Sequence, residues 1–314
     1  MHSDTPFRIG TRGSPLALAQ AEETRARLVA AFPDLGADGA IDIVVIKTTG
    51  DKVLDKALAD VGGKGLFTKE IDDAMLSGAI DIAVHSMKDV PTWLPEGIVL
   101  PCMLEREDTR DVFISTKAAD LDDLPPGAVV GSASLRRQAQ ILARRPDLKV
   151  VTFRGNVQTR LKKLAAGEVD ATLLALAGLK RMNMAHVATK VLDWDAMTPA
   201  VGQGAIGITC RGEDRRALAA LDALNHPDTF LCVSAERAFL AELDGSCRTP
   251  IAARATLKDG ALDLHALIAR VDGSEVHRQR GESPAALDDA LALGRALGQS
   301  LLARASVGFF DGVA

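Results

Sequence analysis

AIDIAVHSMKDVP, residues 79–91, is an apolar run suited to a buried strand, and it stops abruptly at Lys88 and Asp89. Two further segments repeat the arrangement. AVVGSASLRRQAQ (128–140) places Arg136 and Arg137 just past a strand and a small-residue turn, and KVVTFRGNVQTRL (149–161) does the same with Arg154 and Arg160. In open α/β sheets ligands bind beyond the carboxyl ends of the strands. Basic groups gathered at such ends predict a cleft for a small, multiply anionic ligand, because guanidinium forks match carboxylates and phosphates in pairs. Asp89, the lone carboxylate among these cations, calls for a separate role.

Outward from this stretch, the N-terminal third alternates short apolar strands (FRIGTR, IDIVVIKTT, IDIAVHS, GIVLPCML) with helical patterns (SPLALAQAEETRARLVAAF, TKEIDDAMLSG). That alternation is the βαβ signature of a mostly parallel sheet. The charged EREDTRD interrupts it at about residue 105. A second α/β set then runs from DVFIS through AVVGSAS, KVVTFRG and the apolar ATLLALAGL to the loop TPAVGQGA, and AIGITC reads as one more buried strand. From about residue 225 the pattern changes again. A helix, TFLCVSAERAFLAEL, leads through the turn-rich DGSCRTP to strands joined at Asp259-Gly260 and Asp272-Gly273, both hairpin signals. The closing helix is expected to take Ser283 as its N-cap and Pro284 at its first position. The predicted fold is therefore α/β: one α/β domain from 1–104 with 201–222, a second from 105–200, and a small C-terminal α+β domain at 223–314. No internal repeat or low-complexity tract is present.

At 314 residues the chain exceeds one typical core, and 47% apolar with 25% charged residues is an ordinary globular balance. A net charge of −5, 4% aromatic residues and no Tyr argue against a nucleic-acid binder, which needs basic surface and stacking rings. The start, MHSDTPFRIGTRGS, lacks a basic segment followed by an apolar one, and the apolar runs are too short to span a bilayer, so a cytoplasmic protein is expected. The four cysteines, at 102, 210, 232 and 247, form no CxxC pair or zinc spacing and read as reduced thiols.

Several side chains could carry chemistry. In TRGSPLALAQ, Ser14 is a good N-cap, Pro15 suits the first turn, and Arg12 lies beside a helix N-terminus that attracts anions. Ser132 and Ser134 can add donors to a carboxylate held by Arg136 and Arg137. Arg181, in LKRMN, is a weaker member of the set. Arg144 and Arg145 precede Pro146 and read as C-terminal helix caps facing water, and Lys162 and Lys163 as an exposed face. GGKGLFTKE is not a phosphate-binding P-loop, because Gly65 stands where Ser or Thr must follow the Lys. Its glycines suit a mobile loop carrying Lys64. His85 has no second ligand at metal spacing and reads as a core or supporting histidine. No GxSxG elbow supports a serine triad. Cys102, Cys210 and Cys232 sit in apolar patterns, whereas Cys247 lies in the turn Gly245-Ser246-Cys247-Arg248 beside a cation that favours thiolate. On spacing alone, the spare-thiol reading of Cys247 still leads.

Taken together, TRGSPLALAQ, VGGKGLF, HSMKDVP, EREDTRD, GSASLRR, RGNVQTRL, LAGLKR, PAVGQGA and DGSCRTP resemble the hydroxymethylbilane synthase (porphobilinogen deaminase) family, in its order and spacing and over nearly the whole chain. The resemblance implies two α/β domains like those of periplasmic binding proteins around a cleft, with the third domain presenting a cysteine. It implies a dipyrromethane cofactor attached by thioether to Cys247. On it, a transferase adds four porphobilinogen units with loss of ammonia and then hydrolyses the product to hydroxymethylbilane, a step of porphyrin, tetrapyrrole and heme biosynthesis. By the same resemblance Lys88, Ser132, Ser134, Arg136, Arg137 and Arg160 hold the cofactor, while Arg12, Ser14, Lys64, Arg154, Arg160 and Arg181 receive substrate and growing chain. Asp89 is expected to be the catalytic carboxylate, the alternative being that it merely pairs with Lys88 or a nearby Arg and holds the site's shape. No metal is implied, and a monomer is expected. Asp60 departs from the family, standing where many bacterial relatives carry Lys. Two other classes compete: a non-catalytic anion receptor, which the cysteine loop disfavours, and a nucleotide-dependent transferase, which lacks its phosphate loop.

Overall fold

The computed structural model describes residues 5–52, 67–245 and 249–310. Lys64, Asp60 and Cys247 lie outside the described residues. The chain divides into two compact units, one built from residues up to 53, 63–107 and 205–230, the other from 54–62, 108–204 and 231–314.

The first unit is organised by β1 (Phe7–Arg12), α1 (Pro15–Ala31), β2 (Ile41–Ile46), α2 (Thr49–Lys52), α3 (Lys69–Leu76), β3 (Ile82–Ser86) and β4 (Ile98–Met103). Its sheet has the order β2-β1-β3, then the strand Ile206–Arg211 of the AIGITC segment, then β4. β1, β2 and β3 are parallel, and the late strand runs antiparallel to both its neighbours. Phe7, Ile9, Ile82, Val84, Ile206 and Ile208 face one core with Ala21 and Leu28 of α1. Ser14 caps α1 as expected, its hydroxyl accepting from the Ala17 N–H at 3.2 Å, with Pro15 at the first helical position.

In the second unit, β5 (Asp111–Ser115), β6 (Val129–Gly131), α4 (Leu135–Arg144), β7 (Lys149–Val151), α5 (Val157–Ala165), β8 (Ala171–Ala175), α6 (Leu176–Arg181) and β9 (Lys190–Val191) make a second sheet, ordered β7-β6-β8-β5-β9. β6, β7 and β8 are parallel, and β5 is antiparallel to β8 and β9. The two sheets thus share one plan, a parallel trio followed by an inserted antiparallel strand. In order, the strand Ile206–Arg211 is β10, and α7 (Arg215–Asp222) and α8 (Pro227–Glu242) follow it. The remainder is a three-stranded antiparallel sheet of β11 (Ile251–Lys258), β12 (Ala261–Ala269) and β13 (Val276–Pro284), packed on α9 (Leu287–Arg304). Asp259 and Gly260 both take positive φ, 51° and 78°, as a two-residue hairpin turn between Lys258 and Ala261 requires.

Three local expectations are corrected. Ser283 does not cap the closing helix: β13 continues through Pro284, pairing Ser283 with Leu262 and Pro284 with Ala261, and the helix starts at Leu287 after Ala286. The ladder to β12 outcompetes the cap, and proline is tolerated because β13 is an edge strand. The apolar ATLLALAGL, which continues the α/β set as one run, splits into a strand ending at Ala175 and a helix beginning at Leu176. Arg144 and Arg145 do more than face water: Arg144 pairs with Asp122, and Arg145 pairs with Asp147 and donates to the carbonyls of Leu121, Asp122 and Leu124. Together they pin the loop leading to β6.

Candidate functional site

Most described candidate residues lie at or just past the carboxyl end of a parallel strand, while Arg160 lies in α5 and Arg181 ends α6. In the first unit Arg12 ends β1, Ser14 opens α1, and β3 ends at Ser86, from which a single 3-10 turn, Met87–Asp89, carries Lys88 and Asp89. Two contacts hold that turn. Gln20 of α1 exchanges hydrogen bonds with the Ser86 hydroxyl at 2.9 and 3.1 Å. Met87 packs over Gly207 so closely that a Cβ there would lie 1.9 Å from its sulfur, so any side chain at 207 would force Met87 to move. Lys88 and Asp89 are half-buried. The Asp89 carboxylate makes no hydrogen bond or ion pair with any described residue, so the alternative that it merely pairs with Lys88 or a nearby Arg finds no support among them. Arg12 stacks on the Phe67 ring, 4.2 Å from its centroid. His85, buried beneath, places Nε2 3.0 Å from the Thr209 hydroxyl. Burial and the Arg12 charge push its pKa down to about 4, so it is a neutral core histidine. Among the described residues no cluster suits a metal ion.

The second unit treats its cations differently. Ser134 caps α4, and its own N–H donates to the Ser132 hydroxyl at 3.1 Å. Arg136 and Arg137 follow in the first turn and are buried, 4% and 6% exposed. Both reach Asp111, at the start of β5: Arg136 Nη1 lies 2.7 Å from Oδ2 and Arg137 Nη2 2.7 Å from Oδ1. Arg136 Nη1 also donates to the Thr198 carbonyl and Arg137 Nη1 to that of Leu173. Burial by itself would raise the Asp111 carboxyl, but the two guanidiniums outweigh it and hold the group ionised, well below the usual range. Arg160, on α5, has no such acid among the described residues. Its side chain donates to no described residue, and burial together with the charges of Arg137 and Arg154 lowers its pKa to about 10. The Nε atoms of Arg136, Arg137 and Arg160 are all buried without a partner among the described residues. Buried N–H groups are nearly always satisfied, so three on neighbouring cations mark a place built for an anion. Arg181, at the end of α6, donates to the Gly204 carbonyl at 3.1 Å, and Arg154 sits half-buried in the turn after β7.

Asp111, which pairs with both arginines, is the member of the site that sequence reasoning passed over. Its signal was an acidic residue opening the apolar strand DVFIS, where a charge must be paired to be buried. The three described cysteines behave as expected of core thiols: all are buried, and burial raises Cys102 to about 12 and Cys210 to about 11.

Comparison with known proteins bears on this arrangement directly. Residues 7–219 match the family model described as porphobilinogen deaminase, dipyromethane cofactor binding domain, and residues 230–303 match the porphobilinogen deaminase C-terminal domain. A porphobilinogen deaminase, chloroplastic, of Oryza sativa subsp. japonica is 62% identical over 306 residues, spanning 97% of this chain and 86% of that protein. A porphobilinogen deaminase of Paracoccus denitrificans is 59% identical over 306 residues, spanning 98% and 96%. Among solved structures, a periplasmic substrate-binding protein of Coxiella burnetii overlaps 74% of the chain and 96% of its own at 14% identity, with a TM-score of 0.44. The chain belongs to the porphobilinogen deaminase (hydroxymethylbilane synthase) family, transferases that use a dipyrromethane cofactor and take porphobilinogen as substrate.

Proposed function

We propose that Cys247 carries the dipyrromethane, that Arg136, Arg137 and Arg160 with Lys88, Ser132 and Ser134 hold its carboxylates, and that Asp89 is the catalytic carboxylate. The residues fit this group. A dipyrromethane bears acetate and propionate side chains, and the three buried, unpartnered Nε donors are the observation that carries the reading. Once bound, the dipyrromethane supplies the pyrrole α-position to which porphobilinogen units are added.

The chain's own residues do the rest. Arg136 and Arg137 are fixed in place before any ligand arrives, so little side-chain entropy is lost on binding an anion. Arg160, charged yet repelled by Arg137 and Arg154, gains most when a carboxylate comes near it. Arg12, Ser14, Arg154 and Arg181, with Lys64 outside the described residues, receive the acidic side chains of substrate and lengthening product. Departure of ammonia from porphobilinogen leaves an electron-poor azafulvene, so positive charge develops at a ring nitrogen. Asp89, with no partner among the described residues, stabilises that charge as it forms and moves protons. A preorganised carboxylate of this kind acts without reorganising, and the turn that carries it is held by the Gln20–Ser86 hydrogen bonds and by Met87 against Gly207. The protein acts as a cytoplasmic monomer.

Intact mass of purified protein tests the attachment. The expected result is an adduct of one dipyrromethane, mapped to the Cys247 peptide, absent from Cys247→Ala and inactive without it. An adduct on Cys102, Cys210 or Cys232, or a fully active Cys247→Ala protein, refutes the reading.

A further inference from the structure

The geometry points to Asp111 as a positioning residue that selects which edge of Arg136 is presented to ligand. A guanidinium has five N–H donors in a rigid fork, and bidentate binding of a carboxylate uses two parallel ones. Asp111 Oδ2 and the Thr198 carbonyl both take Nη1 of Arg136, each at 2.7 Å, so Nε and Nη2, the side-on pair, donate to no described residue. On Arg137 the same carboxylate takes Nη2 and the Leu173 carbonyl takes Nη1, again leaving Nε.

Asp111 is itself held. It is fully buried, and its Oδ1 accepts from Gln203 Nε2 at 3.0 Å. Thr198 is equally fixed, since its N–H donates to Gln140 Oε1 at 2.8 Å and its carbonyl accepts from Gln140 Nε2 at 3.0 Å. One carboxylate thus locks two consecutive arginines in orientations that turn neutralised edges inward and leave donor edges for a carboxylate ligand. It also relieves the repulsion between the Arg136 and Arg137 charges, which would otherwise drive the forks apart.

The inference rests on the proposal that Arg136 and Arg137 hold the dipyrromethane, and one experiment separates the two. Cofactor occupancy is read by intact mass on folded, monodisperse Asp111→Asn, Gln203→Met and Arg136→Leu proteins. In a Cys247→Ala background, the rise in Tm on adding citrate, a tricarboxylate probe, is read for the same substitutions. Asn keeps the shape of Asp111 but not its charge, and Met at 203 removes a brace while leaving the carboxylate. Expected are occupancy at least fivefold lower in Asp111→Asn, about twofold lower in Gln203→Met, and a citrate shift at least halved in both. A purely structural role would lower the starting Tm yet leave the citrate shift and the occupancy of folded protein unchanged, and that result overturns the inference. Should Asp111→Asn not accumulate, wild-type occupancy and citrate shift in Gln203→Met overturn it. Full occupancy in Arg136→Leu would instead refute the reading on which it rests.

Discussion

The two α/β sheets follow one plan and handle charge in opposite ways. Each has a parallel trio with an antiparallel strand inserted beside it, β10 in one and β5 in the other. At the ends of the first, Arg12, Lys88 and Asp89 are half-buried, and Asp89 has no charged partner among the described residues. At the ends of the second, Arg136 and Arg137 are buried and locked to Asp111, which the inserted strand itself supplies. The same scaffold therefore yields one end that holds cations still and another that keeps a carboxylate available. Holding suits a resident anionic group, and availability suits charge that appears only during reaction.

The comparison breaks most visibly at Arg136. Arg136→Leu should yield almost wholly cofactor-free protein by intact mass. Urea unfolding should also show a loss of about 2–4 kcal/mol, at or below the usual cost of breaking a buried pair because Asp111 keeps Arg137 and Gln203. Full loading with unchanged stability would mean that the second sheet end is no more than a packed surface.

Asp89→Asn should fold and keep its dipyrromethane yet lose on the order of 10²- to 10⁴-fold in turnover, the range for removing a positioned charge or acid-base group. Near-normal turnover with cofactor intact removes the catalytic role. Cofactor-free, unstable protein would make Asp89 a holding residue like those of the second sheet.

Arg160→Leu sharpens the contrast within the second unit. Because Arg160 has no acidic partner among the described residues and burial lowers its pKa to about 10, its removal from the cofactor-free Cys247→Ala protein should raise stability by about 1–2 kcal/mol. In the loaded enzyme the same change, like Arg154→Leu, should permit better loading than Arg136→Leu but stall elongation, leaving partly extended species visible by mass. A destabilised Cys247→Ala/Arg160→Leu protein would show that Arg160 is structural.

The smallest effect concerns His85 beneath the first sheet end. Its folded pKa of about 4 lies below the unfolded value near 6.5, so unfolded chain binds the proton first as pH falls. Its contribution is fully present above about pH 6.5 and is lost between there and about pH 4. His85→Gln should flatten the stability profile across that window by up to about 2–3 kcal/mol and leave it unchanged at pH 8. An identical profile in both proteins would place the imidazole in contact with solvent.

What the sequence by itself determined is local or periodic. Apolar runs set the strands, Ser14-Pro15 and Asp259-Gly260 set a helix start and a hairpin, and basic residues just past apolar runs mark the candidate site, because all of these depend on neighbours a few positions apart. Tertiary structure alone decided what depends on distant partners. Asp111 meets Arg136 and Arg137 from 25 and 26 residues away, and β10 enters its sheet beside β3 more than a hundred positions upstream. Likewise β13 overran the Ser283-Pro284 signal because β12 offered it a ladder. A buried charge is tolerated only where a partner compensates its desolvation, so its purpose appears only when the fold brings the two together.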